Sequence, residues 1–148
     1  MKTYFDTSVL VRAYAPEITT SVALALIRRV KPPIPLTHLH RIEIRNALRL
    51  KHGRGEITEA ELSAALRLFQ DDIDAGRLDL PTYELAALFH RAESLSNKHT
   101  TSTLVRTLDI LHVAAALEIG CREFVSFDER QRTLAARERL KVLPVRGL

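Results

Sequence analysis

The sequence predicts an α/β protein, a three-layer α/β/α sandwich around a mostly parallel central sheet. Three observations carry that prediction. Short apolar segments of strand type alternate with helical segments along all 148 residues, the pattern that builds parallel sheets through crossover helices. There is no internal repeat and no linker long enough to separate domains, so residues 1–148 read as a single domain. The composition, 46% hydrophobic and 27% charged, is that of an ordinary globular chain and excludes disorder, collagen and coiled coil.

The elements follow in order. Residues 2–5, Lys-Thr-Tyr-Phe, have strand chemistry and end at Asp6-Thr7-Ser8, which are helix-capping residues. Residues 9–15 read as a short helix stopped by Pro16. Residues 19–30 read as a second, apolar at Val22, Leu24, Ala25, Leu26 and Ile27 and closed by Pro32-Pro33. Residues 34–37 form a short strand weakened by Pro35. Residues 39–52 read as a helix running into Gly53-Arg54-Gly55. Thr58 and Glu61 have the spacing of a capping box, opening a helix to residue 74.

Gly76 ends that helix, and residues 77–80 are a third strand. Pro81 suits the first turn of a helix through residue 95. The Ser- and Thr-rich stretch 94–107 reads as loop. A helix over 108–119 closes at Gly120, and residues 123–127 read as a buried strand. Asp128 caps a helix to residue 139, and residues 141–145 are the last strand.

Composition narrows the function. A single cysteine, Cys121, excludes an internal disulfide framework and a cysteine-built zinc site. The first residues carry no apolar signal core, and no apolar run approaches membrane-span length, so the expected location is the cytoplasm. Lys plus Arg number 22 against 18 for Asp plus Glu, a net charge of +4. That bias permits a nucleic-acid partner without requiring one. Aromatic residues make up only 5%, with no Trp, which argues against a base-stacking platform for single strands. Nucleotide-binding glycine loops, GxSxG and HExxH are absent, so the corresponding chemistries lose their support.

What remains is a set of acids. Asp6 and Asp128 each directly follow a predicted parallel strand, and ligands of such sheets collect at the carboxyl ends of the strands. Each also has a plain reading as a helix N-cap. Glu43 falls in the apolar stripe Leu39, Glu43, Ala47, Leu50, where a carboxylate must be paired, protonated or bound to a cation; Arg12 and Arg45 are the possible pairing residues. Asp109 opens the helix with apolar face Ile110, Val113, Ala114 and Leu117, and an acid in a first turn also gains from the helix dipole. His112, one turn on, reads as a packed core side chain before it reads as a ligand.

Two carboxylates about 5 Å apart repel by roughly 3 kcal/mol at an effective dielectric of about 20. Four converging acids therefore call for protons or a hard cation, and oxygen-only ligands favour Mg²⁺ or Mn²⁺ over zinc. Such centres suit phosphoryl chemistry. Ser8 and Ser126, two residues from their neighbouring Asp, are hydroxyls placed to orient those acids. Asp6-Thr7-Ser8 lacks the second Asp of a DxD phosphotransfer motif, which weakens a phospho-aspartate mechanism.

Four segments resemble a known family in order. Tyr4-Phe5-Asp6-Thr7-Ser8-Val9-Leu10 is similar to the opening motif of PIN-domain proteins, and Glu43-Ile44-Arg45-Asn46-Ala47-Leu48 to their second acidic motif. The run from Leu108-Asp109 to Ala116-Leu117 resembles the third, and Phe124-Val125-Ser126-Phe127-Asp128 the fourth. Within that family the chain most resembles the VapC toxins of toxin–antitoxin pairs. The resemblance implies a Mg²⁺- or Mn²⁺-dependent endoribonuclease that is a homodimer inhibited by a small cognate VapB-like antitoxin. It implies an acidic cluster of Asp6, Glu43, Asp109 and Asp128, with Asp6 and Asp109 as direct metal ligands. Glu43 and Asp128 would hold waters or a second ion.

Arg41, Arg45 and Arg49 recur every four residues on the helix that carries Glu43, and Lys51 and Arg54 extend the ridge. It is an RNA-backbone contact, an antitoxin contact or a solvated face. The competing functions are a non-catalytic PIN-like module for binding RNA or protein, in which the acids only cap helices, and a metal-dependent phosphatase.

Overall fold

The computed structural model describes residues 2–15 and 20–146. The expected helix stop at Pro16 and helix start at Thr19 lie outside the described residues. The chain divides into two compact units: one joins the segment ending at Asp6 to everything from Pro81 onward, and the other is Thr7–Leu80. The α/β class with parallel strands holds in both.

The first unit contains β1 (Thr3–Phe5), β4 (Glu123–Val125) and β5 (Lys141–Leu143), paired in the order β1-β4-β5 with every pairing parallel. Phe5 stands opposite Val125, and Val125 opposite Leu143. The carboxyl ends of the three strands therefore share one edge. Backbone hydrogen bonds continue past the ladder, Asp6 N–H donating to the Val125 carbonyl (2.9 Å) and Ser126 N–H to the Leu143 carbonyl (3.1 Å). Three helices complete the unit: α5 (Leu85–Thr103), α6 (Thr107–Ile119) and α7 (Glu129–Arg137). In α6, His112, Val113, Ala114, Ala115 and Ala116 are all buried, as befits a helix enclosed by α5 and α7. Gly120 ends it at φ 85°, a conformation open to glycine at no steric cost. In the core Tyr4 stacks on Phe124, ring centres 5.5 Å apart, and donates to or accepts from His112 Nδ1 at 2.7 Å. His112 is thus a satisfied core histidine.

The helix α5 corrects the expected loop over 94–107. It begins at Leu85, not at Pro81, and runs through Thr103. Its buried residues Leu88, Leu95, His99 and Thr103 are spaced by seven, four and four, so one face packs and overrides the poor helix propensity of Ser and Thr. Among those hydroxyls, Thr103 Oγ1 donates to the His99 carbonyl (2.9 Å) and Thr100 Oγ1 to Ser96 Oγ (3.2 Å), both within the helix. His99 Nε2 lies 2.7 Å from Glu138 Oε2, tying α5 to the end of α7.

The second unit comprises α1 (Thr7–Leu10), a 3₁₀ turn (Val11–Ala13), α2 (Thr20–Arg28), β2 (Ile34–Pro35), α3 (His38–Gly53), α4 (Glu59–Asp74) and β3 (Leu78–Asp79). β2 and β3 pair in parallel as a separate two-stranded sheet. Both long helices open on complete capping boxes. Thr58 pairs with Glu61 as the spacing predicts, while Thr37 pairs with His40, a capping box in which imidazole takes the place of the usual carboxylate or amide. α3 packs on α4, burying Ile44 and Leu48 of one and Ala65 and Phe69 of the other. Tyr14 seals this core edge-on to Phe69 and donates to Asp72 Oδ2 at 2.8 Å. Burial and the Asp72 carboxylate raise the Tyr14 pKa above its ordinary value. In α2 only Ala23 is fully buried, and Val22 is exposed.

Cys121, 5% exposed, has its thiol pKa pushed up to about 11 by burial, against the opposing charge of Lys2. A raised thiol pKa leaves no thiolate at neutral pH. Native protein at pH 8 is therefore expected to resist a thiol-reactive disulfide dye, and the protein unfolded in guanidinium to react within the mixing time. Rapid labelling of the native form would contradict this.

Candidate active site

In the first unit the Asp6 carboxylate, the Asp109 backbone carbonyl and the Asp128 carboxylate all meet one residue, Gln131. Asp6 follows β1 at the carboxyl edge and is only 7% exposed. Its Oδ1 accepts a hydrogen bond from Gln131 Nε2 at 3.1 Å. The same amide nitrogen lies 3.4 Å from the backbone carbonyl of Asp109, in the first turn of α6. Asp128, exposed, caps α7, with its Oδ1 accepting from the Gln131 backbone N–H at 2.9 Å. Both sequence readings of Asp128 therefore meet here, since it is an N-cap and it also stands at the carboxyl edge of β4.

Ser126 completes the cluster. Its Oγ accepts from the Asp128 backbone N–H (3.1 Å) and donates to Gln131 Oε1 (2.6 Å). Ser126 and Gln131 are both fully buried. Beside them, the Arg132 guanidinium donates to the carbonyls of Ser126 (2.8 Å) and Pro144 (2.6 Å), holding the ends of β4 and β5. Burial lowers the Arg132 pKa from its ordinary value.

In the second unit Glu43 is half-buried, beside the buried stripe of α3 and not within it; that stripe is His40, Ile44 and Leu48. The expected stripe of Leu39, Glu43, Ala47 and Leu50 is one residue out of phase, and Leu50 is exposed. Glu43 Oε1 accepts from the Thr7 hydroxyl at 2.9 Å. Thr7 is buried and Ser8 exposed, so the hydroxyl that orients Glu43 comes from the residue directly after Asp6. Arg45 turns to α4, where its Nη2 donates to Gln70 Oε1 (2.7 Å) and its guanidinium stands 5.1 Å from the Phe69 ring centre. Burial, then the charges of Arg41 and Arg49, lower its pKa. Arg41, Arg45 and Arg49 recur every four residues along α3, with Arg49 the exposed member.

Gln131, Arg132 and Thr7 were not singled out from the sequence. A signal for Gln131 exists, because Asp128-Glu129-Arg130-Gln131 has capping-box spacing. Nothing local indicates that its amide reaches Asp6.

The side chains of Asp6, Asp109 and Asp128 in the first unit offer oxygens only, the chemistry that hard divalent cations take. His112, the nearest imidazole in sequence to Asp109, is committed to Tyr4 in the core. Among the described residues no three His, Cys, Asp or Glu side chains form a ready cage for a metal ion; Mg²⁺ is commonly held by one or two carboxylates with several waters. No described helix is long and apolar enough to cross a membrane.

A family model for the PIN domain matches residues 3–137, a span that includes all four acidic motifs and reaches into both units. No curated protein matches the chain. PIN domains have a nuclease-type fold, act on nucleic acid and are generally dependent on divalent metals. The chain belongs to the PIN domain family.

Proposed function

We propose that this chain is a Mg²⁺- or Mn²⁺-dependent endoribonuclease, the VapC-like toxin of a toxin–antitoxin pair, working in the cytoplasm as a homodimer held in check by a VapB-like antitoxin. The observation that carries the reading is Asp6. It is a buried carboxylate at the carboxyl edge of a parallel sheet, held by a buried amide, inside a PIN match running from residue 3 to residue 137. That same match passes through both compact units, which supports one PIN domain over the whole chain.

Asp6 and Asp109 would hold the cation directly, and Glu43 and Asp128 would orient waters or a second ion. When bound, the metal polarises the scissile phosphate and offsets the charge that develops on it. The protein's own part is positional. Gln131 fixes one oxygen of Asp6, Thr7 fixes one oxygen of Glu43, and Ser126 steadies the loop that ends in Asp128. Arg49 and Arg41 suit the RNA backbone, with Arg45 anchoring the ridge to Phe69 and Gln70.

The test is purified protein on total RNA in Mg²⁺, with EDTA alongside. Discrete fragments that vanish in EDTA are the expected result. One observation favours the second reading, a non-catalytic binding module: the cap on α7 accounts for Asp128 without any metal. Intact RNA, together with no Mg²⁺ binding by calorimetry, would select that reading.

A further inference from the structure

The geometry points to Gln131 as the positioning residue of this site: its carboxamide aims the Asp6 carboxylate, and Ser126 holds that carboxamide in one orientation. The inference rests on the reading of Asp6 as a catalytic acid and deepens it.

The argument begins with a cap that is not completed in the usual way. At the starts of α3 and α4, the side chain three residues into the helix turns back to accept the N-cap backbone N–H. Gln131 occupies the equivalent position in α7, yet the Asp128 N–H goes to Ser126 Oγ. Ser126 thereby takes over the capping task and releases the Gln131 side chain, which turns inward to Asp6 and the Asp109 carbonyl.

The same serine holds the far end of the amide. Asp6 Oδ1 and the Asp109 carbonyl are acceptors and take Gln131 Nε2, which leaves Oε1 to accept the Ser126 hydroxyl proton. A flipped amide would set oxygen against oxygen at Asp6. Every group in the chain from Asp128 N–H through Ser126 and Gln131 to Asp6 has one compatible role. Ser126, Gln131 and Asp6 are buried, where an unmet polar group is costly. The contact of Gln131 with Asp6 joins positions 125 residues apart.

The experiment measures Mg²⁺ binding by calorimetry and RNA cleavage for the parent, Gln131→Met, Ser126→Ala and Ser126→Thr, with folding followed by circular dichroism. The half-saturation concentration for Mg²⁺ does not depend on the fraction of protein that is active, so it separates positioning from a simple loss of fold. Removal of a group that orients a metal ligand shifts metal affinity by roughly 10–100-fold. The expected result is a shift of that size in Gln131→Met, a smaller one in Ser126→Ala, and recovery in Ser126→Thr, which keeps the hydroxyl. A folded Gln131→Met that binds Mg²⁺ and cleaves like the parent would overturn the positioning role and leave the nuclease reading standing. Should Gln131→Met not fold, an unchanged midpoint in Ser126→Ala would overturn it equally. A parent protein that neither binds Mg²⁺ nor cleaves RNA would overturn the nuclease reading, and the positioning role with it.

Discussion

Asp6→Asn is expected to fold like the parent and to lose RNA cleavage by roughly 10²–10³-fold. Asn keeps the shape of Asp, so the oxygen that accepts from Gln131 Nε2 can be retained at the 3.1 Å contact. The other carboxylate oxygen becomes an NH₂ group, which carries no charge and cannot bind a cation. Charge stabilisation by a bound metal is worth several kcal/mol, and each 1.36 kcal/mol is tenfold in rate. Loss of about 3–4 kcal/mol gives the stated range. Thermal melting should remain near that of the parent, because Asn keeps the shape of Asp and the Gln131 contact. Cleavage at the parent rate would remove Asp6 from the chemistry.

Phe124→Ala should be the most damaging single truncation in the first unit. Phe124 is fully buried at the centre of β4, the middle strand, and stacks on Tyr4 with the two rings 6° from parallel. Truncating a buried Phe costs about 3–5 kcal/mol, the lost transfer energy together with the cavity left behind. For a chain of this size that lowers Tm by roughly 6–20 °C. Leu85→Ala is the matched control, since Leu85 is 60% exposed, and its effect should stay within about 0.5 kcal/mol. Scanning calorimetry of the two variants decides the matter: equal shifts would mean that β4 is not the centre of this core.

The candidate site was legible in part. Asp6, Asp109 and Asp128 stood out because each lies at a strand end or in a first helical turn, features written in a few adjacent residues. Glu43 stood out for an incorrect local reason. The buried stripe of α3 is His40, Ile44 and Leu48, and Glu43 lies beside it with Thr7 as its hydrogen-bond donor. A stripe displaced by one residue is easily misread when leucines such as Leu50 remain exposed. The arginine ridge was visible from its four-residue repeat, but the anchoring of Arg45 on Phe69 and Gln70 was not, because those partners come from another helix.

By itself the sequence determined the alternation of strands and helices, the capping of α4 by Thr58, the cap of α7 by Asp128 and the end of α6 at Gly120. Each of these depends on residues within about four positions of one another, so backbone geometry and side-chain reach settle it locally. Tertiary packing decided the rest. It extended α5 through a Ser- and Thr-rich stretch, because Leu88, Leu95 and His99 found a core to bury against. It divided the strands of the described residues into sheets of three and two. It also turned the Gln131 amide away from its own helix cap to a carboxylate 125 residues distant, a choice fixed by hydrogen-bond satisfaction in a buried space that exists only once the chain has folded.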